Sequence, residues 1–174
     1  MANKAFVVEK VEDRKFECGI KMIDIPKIEN DEVLIKAKYS SLNFKDALSS
    51  VGNPGVTRVF PHVTGIDVAG VIEQSKSEEF KVGDEVIVTG YDMGMNSDGG
   101  HQSYVKVPAS WVVKKPQNIS NKEIMTYGTA GLTAALSVNE LVQNGVLPES
   151  GEILVTGATG GVGSIAVSIL KKLG

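Results

Sequence analysis

The amino-acid sequence predicts an α/β chain in two unequal parts: a β-rich N-terminal part of about 115 residues, then the opening βα unit of a parallel-sheet domain. Three observations carry this. Up to Pro116, short runs of strand character are separated by turn residues at irregular spacing. After Pro116 the periodicity becomes that of helices. Finally, the compact apolar run 152–156 leads through a glycine-rich loop into an amphipathic stretch. With 174 residues, 42% of them apolar, the chain can hold one ordinary domain and part of a second.

Strands are expected at 4–10, 31–42, 65–75, 84–90 and 103–108. In the second of these, Val33, Ile35 and Ala37 alternate with Leu34, Lys36 and Lys38, a period near two with mixed faces. Turns fall at 52–55, 82–84 and 97–100, and the pattern suits a small barrel or sandwich. One short helix interrupts it. Phe44, Ala47, Leu48 and Val51 lie at i, i+3, i+4 and i+7, with Asn43 as N-cap, Asp46 three residues on, and Gly52 as the stop. Beyond Pro116, Ser120 to Glu123 is a helix-start signature, and a longer helix is expected from about Thr129 through Leu141 to Asn144-Gly145. In the last helix Val162, Ile165, Ala166, Ile169, Leu170 and Leu173 form one apolar stripe.

Charge and cysteine usage exclude several classes. Eighteen basic residues against 21 acidic ones give a net charge of −3, which disfavours a nucleic-acid partner. The single cysteine, Cys18, cannot form an internal disulfide, and a reducing, cytoplasmic location is expected; it is read as a small, at least half-buried residue. No window approaches a membrane span, and the N-terminus lacks a signal-peptide core.

The strongest chemical signal is the run from Val155 to Gly163. Aligned on the dinucleotide fingerprint GxGxxG, Ala158 takes the first glycine position, Gly160 the second and Gly163 the third. Such a loop exposes backbone N–H groups, keeps side chains away from an approaching pyrophosphate, and ends at a helix N-terminus that favours anions. Ala158, Thr159, Gly160, Gly161, Val162 and Gly163 are therefore the candidate cofactor-binding residues. A phosphate loop of the GxxxxGK[ST] type is ruled out because the run contains no lysine. Thr156, Gly157, Gly161 and Gly163 also satisfy TGxxxGxG, the pattern of short-chain dehydrogenases, but about 150 residues precede it here. A ligand-free βα turn is the bland alternative.

The motifs SSLNFKDAL (40–48), HVTGIDVAGVIEQS (62–75), FKVGDEVIVTG (80–90), GGHQSYVKVP (99–108), YGTAGLTAALS (127–137) and the segment 153–174 together resemble the medium-chain dehydrogenase/reductase superfamily. Within it the chain is most similar to the zinc-free, quinone-oxidoreductase-like branch, in the subgroup of acryloyl-CoA reductases and NADPH-dependent enoyl reductases. The resemblance implies a GroES-like β-barrel domain over 1–120 and the start of a Rossmann-type nucleotide-binding domain over 121–174. It implies hydride transfer from NADPH to a quinone or an α,β-unsaturated carbonyl or acyl-CoA substrate, a small-molecule partner, and a homodimer for the full-length form.

Zinc-dependent relatives have a cysteine where this chain has Asn43, Gly-His-Glu where it has Gly65-Ile66-Asp67, and a further cysteine near Thr126 and Tyr127. With these ligands changed and Cys18, His62 and His101 scattered, no metal is expected. By the same resemblance, Asn43 would lie near the nicotinamide, where its amide could polarise the substrate oxygen. Asp46 would hold the loop or the cofactor ribose, and Thr129 would contact the nicotinamide-side phosphate or ribose. Asn43 and Asp46 are thus the candidate catalytic residues, with helix capping as the plain alternative for both. Tyr91 and its loop could form a substrate wall, and Asp67 is an architectural acid expected to be paired.

The sequence ends with the first βα unit, so the residue that would select NAD or NADP, normally about 20 residues past the loop, is not in it. NADP is carried over from the subgroup. The strand at 152–156 is expected to lack a sheet neighbour, and the segment to self-associate or stay mobile. Two other functions stay open: a non-catalytic GroES-like binding module, and a short-chain dehydrogenase fragment.

Overall fold

The computed structural model describes residues 2–174, which divide into two compact units between Met125 and Thr126. In the first unit, β1 (Asn3–Glu12) and β2 (Lys15–Ile23) form a hairpin around Asp13 and Arg14, with Arg14 at φ 57°. The short β4 (His62–Val63) pairs with the other edge of β1. A second, five-stranded antiparallel sheet has the order β7-β3-β5-β6-β8, where β3 is Glu32–Tyr39, β5 Asp67–Ser75, β6 Glu85–Thr89, β7 Tyr104–Pro108 and β8 Val113–Lys114.

The core is built by β-branched residues that fit a pleated, buried face. Val33 and Ile35 of β3, Val68 and Ile72 of β5, Val86 and Val88 of β6, and Val105 and Val107 of β7 meet Phe80 and Met93 there. The mixed faces of β3 have a simple cause. Leu34, on its other side, is also buried, in a smaller cluster with Ile28 and Tyr104.

The five expected strands are present, the first extended to 3–12 and the other four trimmed, and the sequence reading missed β2 and the two-residue strands β4 and β8. The signal of β2 is there in hindsight, since Phe16, Cys18, Ile20 and Met22 alternate with Glu17, Gly19 and Lys21. Ile20 and Met22 are largely exposed, and Cys18 is exposed too, so the expected burial of the cysteine is corrected. The helix α1 (Phe44–Ser50) forms where predicted but is turned around. Its inward residues are Asp46 and Ser49, while Phe44 and Val51 are 80% and 66% exposed. The apolar stripe is therefore not a core face. Polar groups hold this helix to the barrel.

In the second unit, α2 (Asn121–Gln143, which begins in the first unit) bends at Gly128, whose φ of 49° and ψ of −151° lie outside the helical region. Ser120 caps its start, accepting from the Glu123 N–H and donating through its hydroxyl to the Glu123 carboxylate. These bonds to Ser120 hold the exposed Glu123 carboxyl below its ordinary pKa. Past the bend, Ala134 and Val138 pack on Ala166 of α3 (Gly161–Leu173), with Val155, Ile165, Ile169 and Leu170 at the edges. Val162 and Leu173, expected in the stripe, are 40% and 53% exposed. The predicted strand at 152–156 forms no ladder. No other strand lies in the described residues of this unit, and a parallel strand without a neighbour has nothing to bond to.

Candidate functional site

The loop before α1 is organised by two buried carboxylates. Asp46, 5% exposed, accepts the Asn43 backbone N–H at 2.8 Å on Oδ2, and those of Gly65 and Ile66 at 3.1 and 3.0 Å on Oδ1. The first bond is half of a capping box; the other two tie the helix start to the turn before β5. Asp67, fully buried, accepts the Ser41 hydroxyl and the Asn43 Nδ2 group, the latter at 2.8 Å, on one oxygen. Its backbone carbonyl accepts the Ser40 hydroxyl at 2.7 Å.

This geometry presents the helix-capping alternative for Asn43 and Asp46. An asparagine amide has two N–H donors. Those of Asn43 face Asp67 Oδ2 and, at 3.3 Å, Ser41 Oγ. Asp46 accepts three backbone donors and so holds the loop, one of the two roles the resemblance implies for it. What the loop turns outward is apolar: Leu42 is 88% and Phe44 80% exposed.

Two histidines complete the barrel side. His101 Nε2 lies 3.1 Å from the Ser41 carbonyl and Nδ1 2.8 Å from Thr64 Oγ1. A carbonyl only accepts, so Nε2 carries the proton, and in the neutral ring Nδ1 receives the threonine hydroxyl. His101 thereby clamps the 40–43 loop to the 99–101 turn. The sequence reading placed no weight on it or on Ser41, because the partners lie 60 positions apart; their only shared signal is membership of the SSLNF and GGHQS motifs. His62, 3% exposed, meets Ser49 Oγ at 2.6 Å, and that hydroxyl meets Thr57 at 2.7 Å. Burial lowers the His62 pKa, with Asp98 and Asp46 pulling the other way. Tyr91 stacks on Trp111, ring centres 5.2 Å apart, and remains 60% exposed.

In the second unit the glycine loop is arranged around Gly157, whose φ of 64° makes the tight turn. The turn glycine is thus one residue earlier than the position aligned at Ala158. A Cβ on Gly163 would lie 2.2 Å from the Gly157 carbonyl oxygen, so this glycine lets α3 pack against the turn. Gly160 is different. It is the N-cap of α3, and a Cβ there would come no nearer than 3.4 Å to Gly157 O. The first i to i−4 bond of the helix runs from Ser164 N to Gly160 O, which leaves the N–H groups of Gly161, Val162 and Gly163 without an acceptor four residues back. Ala158, Thr159, Gly160, Gly161 and Val162 are exposed. Gly161 and Ala130 face each other, a Cβ on the former falling 3.3 Å from the latter. The start of the post-bend helix, with Thr129, therefore sits beside the loop. A hollow of about 510 Å³ runs from Gly160–Gly163 along 153–157 to Val138 and Leu141.

The donor sets decide which groups could be held. A glycine-rich loop leading to helical N–H groups with no intrahelical acceptor suits the phosphates of a dinucleotide. Among the described residues no group of three or more His, Cys, Asp or Glu side chains is placed to hold a metal ion, and the Asn43 N–H groups face Asp67 and Ser41.

Residues 29–117 match the alcohol dehydrogenase GroES-like domain family. Among curated proteins, YhfP of Bacillus subtilis, provisionally named a quinone oxidoreductase, is 52% identical over 155 residues, covering 89% of this chain and 47% of its own. Acrylyl-CoA reductase AcuI of Ruegeria pomeroyi is 41% identical over 171 residues, 98% of this chain and 52% of that protein. The crystal structure of the yhdH oxidoreductase from Salmonella enterica in complex with NADP superposes with a TM-score of 0.93 at 39% identity, covering 98% of this chain and 52% of that one. The Bacillus subtilis yhfP structure, with NAD bound, gives a TM-score of 0.92 at 48% identity, covering 99% of this chain and 52% of its own. The chain spans about half the length of the relatives it matches. With the family match spanning half of the chain, the protein belongs to the alcohol dehydrogenase GroES-like domain family of the medium-chain dehydrogenase/reductases.

Proposed function

We propose that this chain serves an NADPH-dependent, zinc-independent oxidoreductase that transfers hydride to an α,β-unsaturated acyl-CoA or a quinone. The observation that carries the reading is the glycine loop: a left-handed turn at Gly157, a bare N-cap at Gly160, and three helical N–H groups free of intrahelical acceptors. Gly160, Gly161, Val162 and Gly163, with Ala158 and Thr159 on the turn, would hold the pyrophosphate, and Thr129 would border it. When bound, the nicotinamide supplies the hydride. The relatives named for acrylyl-CoA and quinone reduction supply the substrate classes, and NADP in the yhdH structure supports the choice of dinucleotide over the NAD of yhfP. Asn43 and Asp46 act as positioning residues that fix the wall beside the barrel. The donor chemistry at Asn43 supports a metal-free reaction.

The test is titration of NADPH into the chain, followed by the fluorescence of the dihydronicotinamide. Saturable binding, lost in Gly160→Trp with the helix content unchanged, supports the assignment. Equal binding by that variant would remove the phosphates from this loop. A non-catalytic barrel module would bind no dinucleotide at all.

A further inference from the structure

The first unit holds a hollow of about 360 Å³ that the glycine loop and the Asn43 network do not explain. It lies at the seam between the two sheets. β1 and β3 do not pair with each other; the segment 100–103 joins them, through Phe6 N to His101 O, Ser103 N to Lys4 O and Ala37 N to Ser103 O, each at 2.9 Å. Ala5, Ala37 and Gly100 are too small to fill the space this crossing leaves.

The rim has a definite chemistry. Lys4 and Lys38 stand on it, both exposed, and neither takes part in the six ion pairs found among the described residues, which use Lys10, Lys15, Lys21, Lys106, Lys114 and Lys115. No aspartate or glutamate lines the hollow. In a chain of net charge −3, a depression edged by two unpaired ammonium groups and no acid is an anion-attracting spot. Beside the lysines, Tyr39, Ile20 and Phe6 give an apolar wall, with Tyr39 47% and Ile20 66% exposed. The volume is that of a small ligand.

We infer that this hollow is a second ligand site, for a small organic anion whose carboxylate or phosphate ester is met by Lys4 and Lys38 while its apolar body lies on Tyr39 and Ile20. His101 and Ser40, which line the hollow, are bonded to Ser41 and Asp67, so occupancy is felt in the Asn43 network.

The test uses the full chain labelled with ¹⁵N and four probes: phenyl phosphate, benzoate, inorganic phosphate and benzyl alcohol. Phenyl phosphate or benzoate should saturate shifts at the amides of residues 4–6, 38–40 and 100–103 below about 10 mM. A response to one and not the other assigns the anion as phosphate ester or carboxylate. Inorganic phosphate and benzyl alcohol, each lacking one half of the chemistry, should bind about tenfold more weakly. The double variant K4E/K38E, which changes only exposed side chains and should melt with the parent, should weaken the organic anion by about tenfold or more. Unchanged affinity in that variant, equal binding of benzyl alcohol, shifts confined to 157–164, or no saturation would each overturn the assignment. Retained NADPH binding by K4E/K38E separates this site from the glycine loop.

Discussion

Replacing Asp46 by alanine removes one carboxylate and strips three backbone N–H groups, those of Asn43, Gly65 and Ile66, of their acceptor. The site is 5% exposed, so water reaches the orphaned donors poorly. Each buried donor left unsatisfied costs about 1–3 kcal/mol, and bonds to a charged acceptor lie toward the upper part of that range. Neighbouring losses overlap, so the expected destabilisation is about 3–5 kcal/mol. Asp46→Asn should cost less, about 2 kcal/mol, since its oxygen can keep Gly65 and Ile66 while its amide group opposes the Asn43 N–H. Trp111, the single tryptophan, lies in the same unit and reports urea unfolding there. A loss under about 1 kcal/mol for the alanine variant, with an unchanged m-value, would mean that the carboxylate is not what fastens α1 to the barrel.

Protonation of His62 gives a pH prediction with a definite sign. Burial lowers its folded-state pKa from 6.5, so in acid the unfolded chain binds the proton first and stability falls as pH drops below about 7 toward that lowered value. His62→Phe should flatten this part of a urea-midpoint profile between pH 5 and 8; an unaltered slope would place it elsewhere. The two loop glycines should separate stability from binding. Gly163→Ala meets the Gly157 carbonyl oxygen at 2.2 Å and should cost about 2 kcal/mol or more in the melting of the second unit, while Gly160→Ala should leave melting nearly unchanged. Among the described residues the N–H groups of 153–156 donate to no backbone carbonyl, so their hydrogen exchange should approach unprotected rates, and strong protection would reveal a pairing partner in solution.

What the sequence made legible follows from how local each signal is. The glycine loop, the capping residues of α2 and the strands of the main core announce themselves within a dozen residues, by turn chemistry and period. The strand β2 escaped because its alternating residues face solvent and stand next to charges, which lowers the contrast the eye needs. The segment 152–156 was read as a strand from composition, yet a strand is a relation between two segments, and apolar residues alone do not supply the second. Asp67 was legible as an acid in need of partners, while their identities, Ser41 and Asn43, depend on a contact across 24 to 26 positions that no local pattern encodes.

The reversal of α1 carries the larger point about this site. An i, i+3, i+4, i+7 stripe normally marks the face a helix buries, because removing it from water is the main driving force available to a seven-residue element. Here the buried face is Asp46 and Ser49, and each has its oxygens satisfied, by three N–H groups in one case and by Thr57 and His62 in the other. A polar anchor is directional where an apolar contact is not, so it fixes the rotation of α1 and with it the position of Asn43. The stripe is thereby released from the core, and Phe44 and Val51, with Leu42 just before the helix, are left exposed. If the anchor is what sets this orientation, Ser49→Val should lower the protection of the α1 amides even though it adds buried apolar surface, because it leaves the Thr57 hydroxyl and His62 Nε2 without Ser49 as a partner. An increase in protection would show that the helix is held by packing alone.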